Sequence, residues 1–412
     1  MFTNRRRFLQ SSLSAGGLVT WGLAAPGFLA RTAAATPDAG KPGSHDTILV
    51  VLELTGGNDG LNTVIPFKDP EYAKLRPTLK QPPEQVKKIN DELGLHPQLD
   101  GFAKLLEDGA LSVVQGVGYP NPDQSHFRSM DIWQSASTAQ SPAEGWLGKA
   151  LRGIPGTPSF HIKSNNERSP LAMDGAPARV PSIASLAEFQ LQIDAASGAD
   201  KRQQQAVIEG VVRGGHGPGL LDFVRRTADN TYASSRRLQE IGKNYEPKVP
   251  YPQTPLANRL RLAAQLIDGG LGARVFYVAL DNFDTHSTQA PAHANLLGQL
   301  SGAVTAFFKD LAARGHRDRV LLMTFSEFGR RAKENGSKGT DHGSAAPMFL
   351  VGGRVKPGAI GKHPSLTELE IGNLKHHTDF RCVYAAVLDK WLGVNSRDVL
   401  GTGFAPLDIF KA

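Results

Sequence analysis

Cysteine is almost absent from this chain, since Cys382 is its one example among 412 residues. A single cysteine excludes an intramolecular disulfide, so noncovalent packing must hold the fold together. Because Cys382 falls in an apolar helical pattern, we expect it to be a small, buried hydrophobic side chain. The absence of disulfides suits a protein that folds before it enters an oxidising compartment.

Nucleotide-binding motifs are absent as well. The sequence has no glycine-rich phosphate loop with a lysine, no G-x-G-x-x-G segment and no G-x-S-x-G nucleophile elbow. Segment 56–60 is glycine-rich but lacks the Walker lysine. Its backbone N–H groups are a candidate anion-binding site.

The chain also has little net charge once residues 1–35 are left out of the count. The chain carries 46 basic and 39 acidic residues, a net charge of +7. Four arginines and no acidic residue lie within residues 1–35, so the net charge of the remainder is only +3. Nucleic-acid binding needs Lys and Arg clustered on one face, so we expect no nucleic-acid partner.

The N-terminus resembles a twin-arginine signal peptide. Residues 4–10 read Asn-Arg-Arg-Arg-Phe-Leu-Gln, an apolar stretch follows over 13–29, and the alanines at 33–35 form a small-x-small cleavage site. Glycines and a proline interrupt the apolar stretch, whereas a spanning helix needs about 20 strongly apolar residues.

We therefore predict a signal peptide at 1–35, a linker at 36–45 and export through the twin-arginine translocase. The mature protein is expected to be periplasmic or secreted in a bacterium, with no stable membrane span. An uncleaved N-terminal anchor is the alternative.

Apolar runs alternate with helical periodicity along the rest of the chain. This alternation predicts an α/β fold, a three-layer, doubly wound and mostly parallel sheet, in a single domain over 46–412. Two polar helices within 142–253 predict a helical insertion or cap. The predicted strands are 47–54, 111–115, 274–280, 319–325 and 346–351, and the predicted helices are 97–108, 200–212, 219–242, 258–267, 293–315 and 379–392.

Polar clusters follow the predicted strands, and the carboxyl ends of parallel strands share one edge of a sheet. We expect these clusters to converge there. Carboxylates and histidines on one rim suit a divalent metal ion. The converging residues are Asn58, Asp59, Ser125, His126, Asp281, Asp284, His286, Glu327, Asp341 and His342.

Each cluster also has a structural explanation. Asp59 precedes a glycine and is typical of a turn. Ser125 and His126 can brace a loop, and a hydrogen-bonded loop would explain Asp284 and His286. An ion pair with a neighbouring arginine would explain Glu327, because a buried carboxylate is costly without a partner.

Five phrases resemble the domain-of-unknown-function family 1501, whose members are typically exported by the twin-arginine pathway. The phrases lie at 52–62 (LELTGGNDGLN), 125–127 (SHF), 283–286 (FDTH), 324–330 (TFSEFGR) and 340–343 (TDHG). That family resembles a distant branch of the alkaline phosphatase and sulfatase superfamily, which hydrolyses phosphate or sulfate esters or transfers phosphoryl groups, often with two zinc ions.

The resemblance implies roles for several residues. Ser125 matches the nucleophile, with Ser129 as second choice, and the implied metal ligands are Asp59, Asp284 (or Asp281), His286, Glu327 and His342. For ester hydrolysis we add His126 and Arg330 to the catalytic set, with Arg330 expected to stabilise the transition state.

The sequence departs from the superfamily pattern in two places. Asp284 and His286 are two positions apart instead of four, and Glu327-Phe328 stands where an Asp-His pair is usual, so His126 is the candidate to replace the lost histidine. One ion, two or none are consistent with this pattern, zinc being the first candidate.

Three hypotheses follow. The first is an exported, metal-dependent hydrolase of phosphate or sulfate esters, borne by a small molecule or a polymer. The second is a non-catalytic binding or assembly protein that retains the fold. The third is a protein that binds one metal and a carbohydrate or sulfated polymer without cleaving it.

Overall fold

The computed structural model describes residues 47–164, 167–178, 180–186 and 237–411. The predicted signal peptide, the linker, the helix at 200–212 and most of the helix at 219–242 lie outside these residues. Among the described residues, none of the helices combines the length and the apolar character needed to span a membrane.

Two sheets are formed by short strands. The strands are β1 (Ile48–Leu54), β2 (Val64–Ile65), β3 (Lys87–Lys88), β4 (Gly94–Leu95), β5 (Leu111–Gly118), β6 (Ser159–Ile162), β7 (Ser182–Ile183), β8 (Val275–Leu280), β9 (Val320–Phe325), β10 (Ala346–Val351), β11 (Gly358–Ile360) and β12 (Thr378–Asp379). The main sheet has the order β11-β5-β10-β9-β1-β8-β6-β7, with β12 beside β5, and β2, β4 and β3 form the small sheet.

Strand β1 is the centre of the main sheet. It pairs in parallel with β8 on one side and with β9 on the other, and all seven of its residues are buried. A strand covered on both faces by helices is mostly apolar, which explains its nearly continuous hydrophobic run, interrupted only by Glu53. The predicted, mostly parallel α/β sheet is therefore confirmed.

Helices cover both faces of this sheet. They are α1 (Gly60–Thr63), α2 (Pro70–Leu75), α3 (Asp100–Glu107), α4 (His126–Ser135), α5 (Trp146–Arg152), α6 (Pro255–Asp268), α7 (Gln289–Ala313), α8 (Phe380–Ala386) and α9 (Ser396–Leu400), with a 3-10 turn at Leu171–Met173, a π-helical turn at Val387–Leu392 and helical residues at 237–244.

Two hydrophobic clusters define the three layers. Val50 packs with Phe102 of α3 and Phe307 of α7 on one face. Val51, the next residue, packs on the other face with Trp133 of α4. Successive strand residues point to opposite faces, so β1 contributes alternately to both clusters. The predicted three-layer arrangement is confirmed.

Strand β10 is antiparallel to both of its neighbours, β5 and β9. Its first residue therefore lies at the edge where the parallel strands end. This reversal brings the loop before β10 to the same rim as the loops after β1, β8 and β9.

The main sheet also extends into the segment predicted as an insertion. Strands β6 and β7 pair with each other, and β6 pairs with β8, all in parallel. Residues 187–236, where the rest of the insertion was predicted, are outside the described residues, so its extent stays a prediction.

Helix α8 begins after its N-cap Asp379, the first residue of the predicted helix at 379–392, and Asp379 accepts a hydrogen bond from the backbone N–H of Arg381. Cys382 lies in this helix and is only partly buried, in contrast to the expected full burial.

Candidate metal centre

Three side chains from distant parts of the chain meet at the rim. His126 is the first residue of α4, Asp284 lies in the loop after β8, and His342 lies in the loop before β10. One ligand atom from each lies within 4.8 Å of the others. The predicted convergence is thus observed for these three residues, and the reversed direction of β10 delivers the third.

Asp284 is the common neighbour of the imidazoles. Its Oδ1 lies 3.0 Å from Nε2 of His286 and 3.2 Å from Nε2 of His342, and its Oδ2 lies 3.4 Å from Nε2 of His126. The Nε2 atoms of His286 and His342 are 2.9 Å apart. His286 therefore joins the group from its exposed side.

The other ring nitrogen of each histidine faces an oxygen acceptor. Nδ1 of His126 lies 2.8 Å from Oε1 of Glu327, and Nδ1 of His342 lies 2.8 Å from the carbonyl oxygen of Gln124. Nδ1 of His286 is 3.5 Å from Oδ1 of Asp341. Each of these acceptors can receive a proton from Nδ1, and in that tautomer the lone pair of Nε2 is directed at the centre.

Glu327 lies behind His126 and not among the converging ligand atoms. Its carboxylate is completely buried and accepts hydrogen bonds from the backbone N–H of Gly56 and from Ser326 Oγ. The hydrogen bond to Glu327 raises the pKa of His126. In the glycine-rich segment, which was a candidate anion site, the backbone N–H of Gly56 therefore binds the carboxylate of Glu327.

Gly56 allows this close approach. Its φ is +115°, and a Cβ atom there would lie 2.4 Å from the backbone nitrogen of Asp284. Only glycine fits such a backbone without strain. The glycine-rich turn after β1 therefore packs directly against the loop that carries Asp284.

Arg330 is buried, and its guanidinium is occupied by the protein. It donates to Asp284 Oδ1 at 2.7 Å, to the carbonyl oxygen of Thr340 at 2.8 Å, and to the carbonyl oxygens of Gly56, Gly57 and Phe283. Burial alone would raise the pKa of Asp284, but Arg330 outweighs this effect and lowers the pKa to about 2. The structure places Arg330 as a support for Asp284, behind the rim.

Asp59 is buried and paired with an arginine that the sequence analysis missed. Arg76 donates to both of its carboxylate oxygens, at 2.5 and 2.9 Å, and Gln289 Nε2 donates to its Oδ2. Burial raises the pKa of Asp59, but Arg76 outweighs burial and lowers it to about 2. The structure therefore does not bring Asp59 to the converging ligand atoms.

The two candidate nucleophiles have different surroundings. Ser125 is exposed at the N-cap of α4, and its side chain makes no capping hydrogen bond. Ser129 is completely buried, bonds to the hydroxyl of Tyr119 and donates to the carbonyl oxygen of Glu327. Of this pair, only Ser125 is exposed to solvent.

A family model for a protein of unknown function (DUF1501) matches residues 46–400. The chain belongs to the DUF1501 family. No match was found among the curated proteins.

Solved structures provide distant neighbours of this DUF1501 chain. Ps i-CgsB in complex with k-i-k-neocarrahexaose is 11% identical, with a TM-score of 0.38 over 86% of this chain and 74% of that chain. The PsFucS1 sulfatase from Pseudoalteromonas sp. is 13% identical, with a TM-score of 0.37 over 88% and 70%. A protein in the alkaline phosphatase superfamily from Vibrio parahaemolyticus is 9% identical, with a TM-score of 0.35 over 82% and 72%.

Three supporting residues of this DUF1501 chain escaped the sequence analysis. Arg76 and Gln289 belong to helical segments whose periodicity does not reveal that their side chains reach Asp59. Gln124 contacts His342 through its backbone carbonyl oxygen, which every residue type has, so its side chain could not reveal this role. Only its position next to Ser125 and His126 in the sequence pointed to the site.

Proposed function

We propose that this chain is an exported, metal-dependent hydrolase of phosphate or sulfate esters. The observation that carries the proposal is the orientation of three imidazoles. His126, His286 and His342 each direct Nε2 towards Asp284, while an oxygen acceptor faces each Nδ1. Metal-ligating histidines are commonly held in this way, with the second ring nitrogen hydrogen-bonded to a carboxylate or a carbonyl oxygen.

The donor set fits one divalent cation. His126, Asp284 and His342 would hold it, and His286 would take the fourth position only when no water or substrate occupies it. Imidazole and carboxylate donors suit zinc and other first-row divalent ions, and three protein ligands with one open position are typical of catalytic zinc. When bound, such an ion would supply Lewis acidity and lower the pKa of a nearby hydroxyl.

The remaining predicted site residues are assigned supporting roles in this proposal. Glu327 would orient His126 and strengthen it as a donor, and Arg330 would fix the carboxylate of Asp284. Asp59 would hold the loop after β1 in place through Arg76. A two-ion centre would need further ligands beyond these.

Ser125 is the proposed nucleophile. Its hydroxyl is exposed and precedes the ligand His126 by one residue. Oγ would form a bond to phosphorus or sulfur as the alcohol of the ester leaves, and water would then hydrolyse the covalent ester and regenerate the serine.

Metal analysis of the folded protein and a panel of aryl phosphates and sulfates test this proposal. We expect about one divalent ion per chain, together with turnover that Ser125→Ala abolishes without loss of metal. Ser137→Ala, on the loop after α4, is the matched control and is expected to retain turnover. Protein without metal and without turnover would contradict the proposal.

The alternative function is a binding or assembly protein that retains the fold. The buried position of Arg330 favours it, because the arginine predicted to stabilise a transition state is fully engaged by the protein itself. Separate substitution of Ser125 and His286 distinguishes the two functions. A cellular phenotype that survives both changes would show that the rim chemistry is not used.

A further inference from the structure

An exposed aromatic side chain directly follows one residue of the candidate metal centre in the sequence. Phe127, which follows the ligand His126, is 88% exposed. Among the large hydrophobic residues that the structure describes, only Phe127 and Ile371 are exposed. A single exposed hydrophobic residue is ordinary on a protein surface, so its surroundings must show whether it has a role.

Phe127 has no local structural role in its helix. It is the second residue of α4, counted after the N-cap Ser125. The hydrophobic contact that stabilises a helix start joins the residue before the N-cap to the fourth helical residue. Those positions are occupied by Gln124 and Ser129, so this contact is not made and would not involve Phe127.

The backbone that carries Phe127 is nevertheless firmly held. The N–H of Ser125 donates to Asp123 Oδ1 at 2.7 Å, and the N–H of Asp123 donates to the hydroxyl of Tyr119 at 2.9 Å. Ser129 Oγ, one turn further along, donates to the carbonyl oxygen of Glu327. The exposed ring is thus carried by a firmly held backbone, one residue after the ligand His126.

A second phenylalanine lies beneath the imidazoles. The ring centroid of Phe328 is 4.9 Å from that of His126 and 4.6 Å from that of His342, and Phe328 is buried. Phe328 therefore serves packing, and the exposed ring of Phe127 is left free for a ligand.

We propose that Phe127 is a specificity-determining residue that stacks against a ring in the leaving group of the substrate. This inference rests on the proposed ester hydrolase function and names its substrate class, which is esters whose alcohol carries a ring with an apolar face. An aromatic ring and a pyranose ring both present such a face. An aromatic side chain with only two side-chain torsions loses little entropy when it stacks.

Binding of non-hydrolysable anions tests the inference apart from turnover. The probes are phenylphosphonate and benzenesulfonate, compared with methylphosphonate and methanesulfonate, on metal-loaded protein. Covering one face of a phenyl ring removes on the order of 60 Å² of apolar surface from water, equivalent to about a tenfold change in Kd. We expect Phe127→Ala to weaken binding of the phenyl probe about tenfold and to leave the methyl probe and the metal content unchanged.

Two variants serve as controls. Phe127→Tyr retains the ring and should bind the phenyl probes as the wild type does. Ile371→Ala removes the other exposed hydrophobic side chain and should change neither class of probe. A cyclohexyl phosphonate and a pyranosyl phosphonate then distinguish an aromatic from a sugar ring in the substrate.

The outcomes separate the two proposals. Equal effects of Phe127→Ala on phenyl and methyl probes, or no effect on either, would overturn the role of Phe127 while leaving a functional anion site. Wild-type protein that binds metal but none of the four anions would overturn the hydrolase proposal and this inference with it.

Discussion

Each histidine of the candidate metal centre has two ring nitrogens, and their partners decide which one can bind an ion. Glu327 is the most firmly placed of these partners, because it is buried and its Oε1 lies 2.8 Å from Nδ1 of His126. Asp341 approaches Nδ1 of His286 only to 3.5 Å and is exposed. The two carboxylates should therefore differ in their effect on metal affinity.

Glu327→Gln is expected to weaken metal affinity about 10- to 100-fold, because the amide retains the shape of the carboxylate but lacks its charge. Asp341→Asn should have a smaller effect. Competition with a chromophoric chelator measures both, and Glu107→Gln on the exposed side of α3 is the control. Wild-type affinity in Glu327→Gln would contradict the supporting role of this carboxylate.

Asp59→Asn is expected to destabilise the protein by about 3–5 kcal/mol, since it leaves the guanidinium of Arg76 buried without its counter-ion. Urea unfolding followed by circular dichroism measures the change. Breaking the exposed pair of Lys74 and Glu71 by Lys74→Met is the control and should have little effect. A variant of wild-type stability that loses its metal would instead make Asp59 a ligand.

Among the elements, the strands were the most predictable feature. Strands β1, β8, β9 and β10 begin and end within one residue of the predicted limits, because strands buried on both faces give uninterrupted apolar runs. Hydropathy carries no information on direction, so the reversal of β10 was not predictable. The long helix α7 begins at Gln289, four residues before the predicted start, because its first turn packs on the polar loop that contains Asp59.

Those residues of the site that lie in loops at the strand ends could be predicted from the sequence. The topology brought His126, Asp284, His286 and His342 together as expected. The positions of Asp59, Glu327 and Arg330 behind this group depend on side-chain partners that lie far away in sequence, such as Arg76. Periodicity and residue type do not encode those pairings.

Strand β1 contains a buried acid, Glu53, that the metal centre does not use. Gln134 Nε2 donates to its Oε2 at 2.9 Å, Thr55 Oγ1 donates to its Oε1 at 2.8 Å, and the hydroxyl of Tyr277 also donates to it. Burial raises the pKa of Glu53 to about 7. A raised folded-state pKa contributes stability below the ordinary value of 4.5, and this contribution is lost as the pH rises through about 7.

Glu53→Gln, which cannot ionise, should therefore gain stability relative to the wild type as the pH rises. We expect the difference between the two proteins to shift in favour of the variant by roughly 3 kcal/mol between pH 5 and pH 8. Urea unfolding at both pH values measures it. An unchanged difference would show that Glu53 does not titrate in this range.

At the scale of the whole molecule, the N-terminal motif predicts how the protein leaves the cytoplasm. Replacing Arg5 and Arg6 together by lysine preserves the charge but removes the twin-arginine signal. We expect the variant to accumulate in the cytoplasm as folded protein, as measured by cell fractionation and protease protection. Normal export of the variant would indicate another route, and Arg31→Lys, outside the motif, is the control.

The reversed strand β10 also sets the order of events during synthesis. His342 reaches the rim only after β10 has entered the sheet between β5 and β9, whereas His126 and Asp284 emerge from the ribosome much earlier. An ion that requires all three side chains cannot be captured before His342 has been synthesised and β10 has joined the sheet. Metal occupancy would then mark a chain whose central sheet is assembled, and a transport route that accepts only folded cargo would carry the ion out together with the protein that holds it.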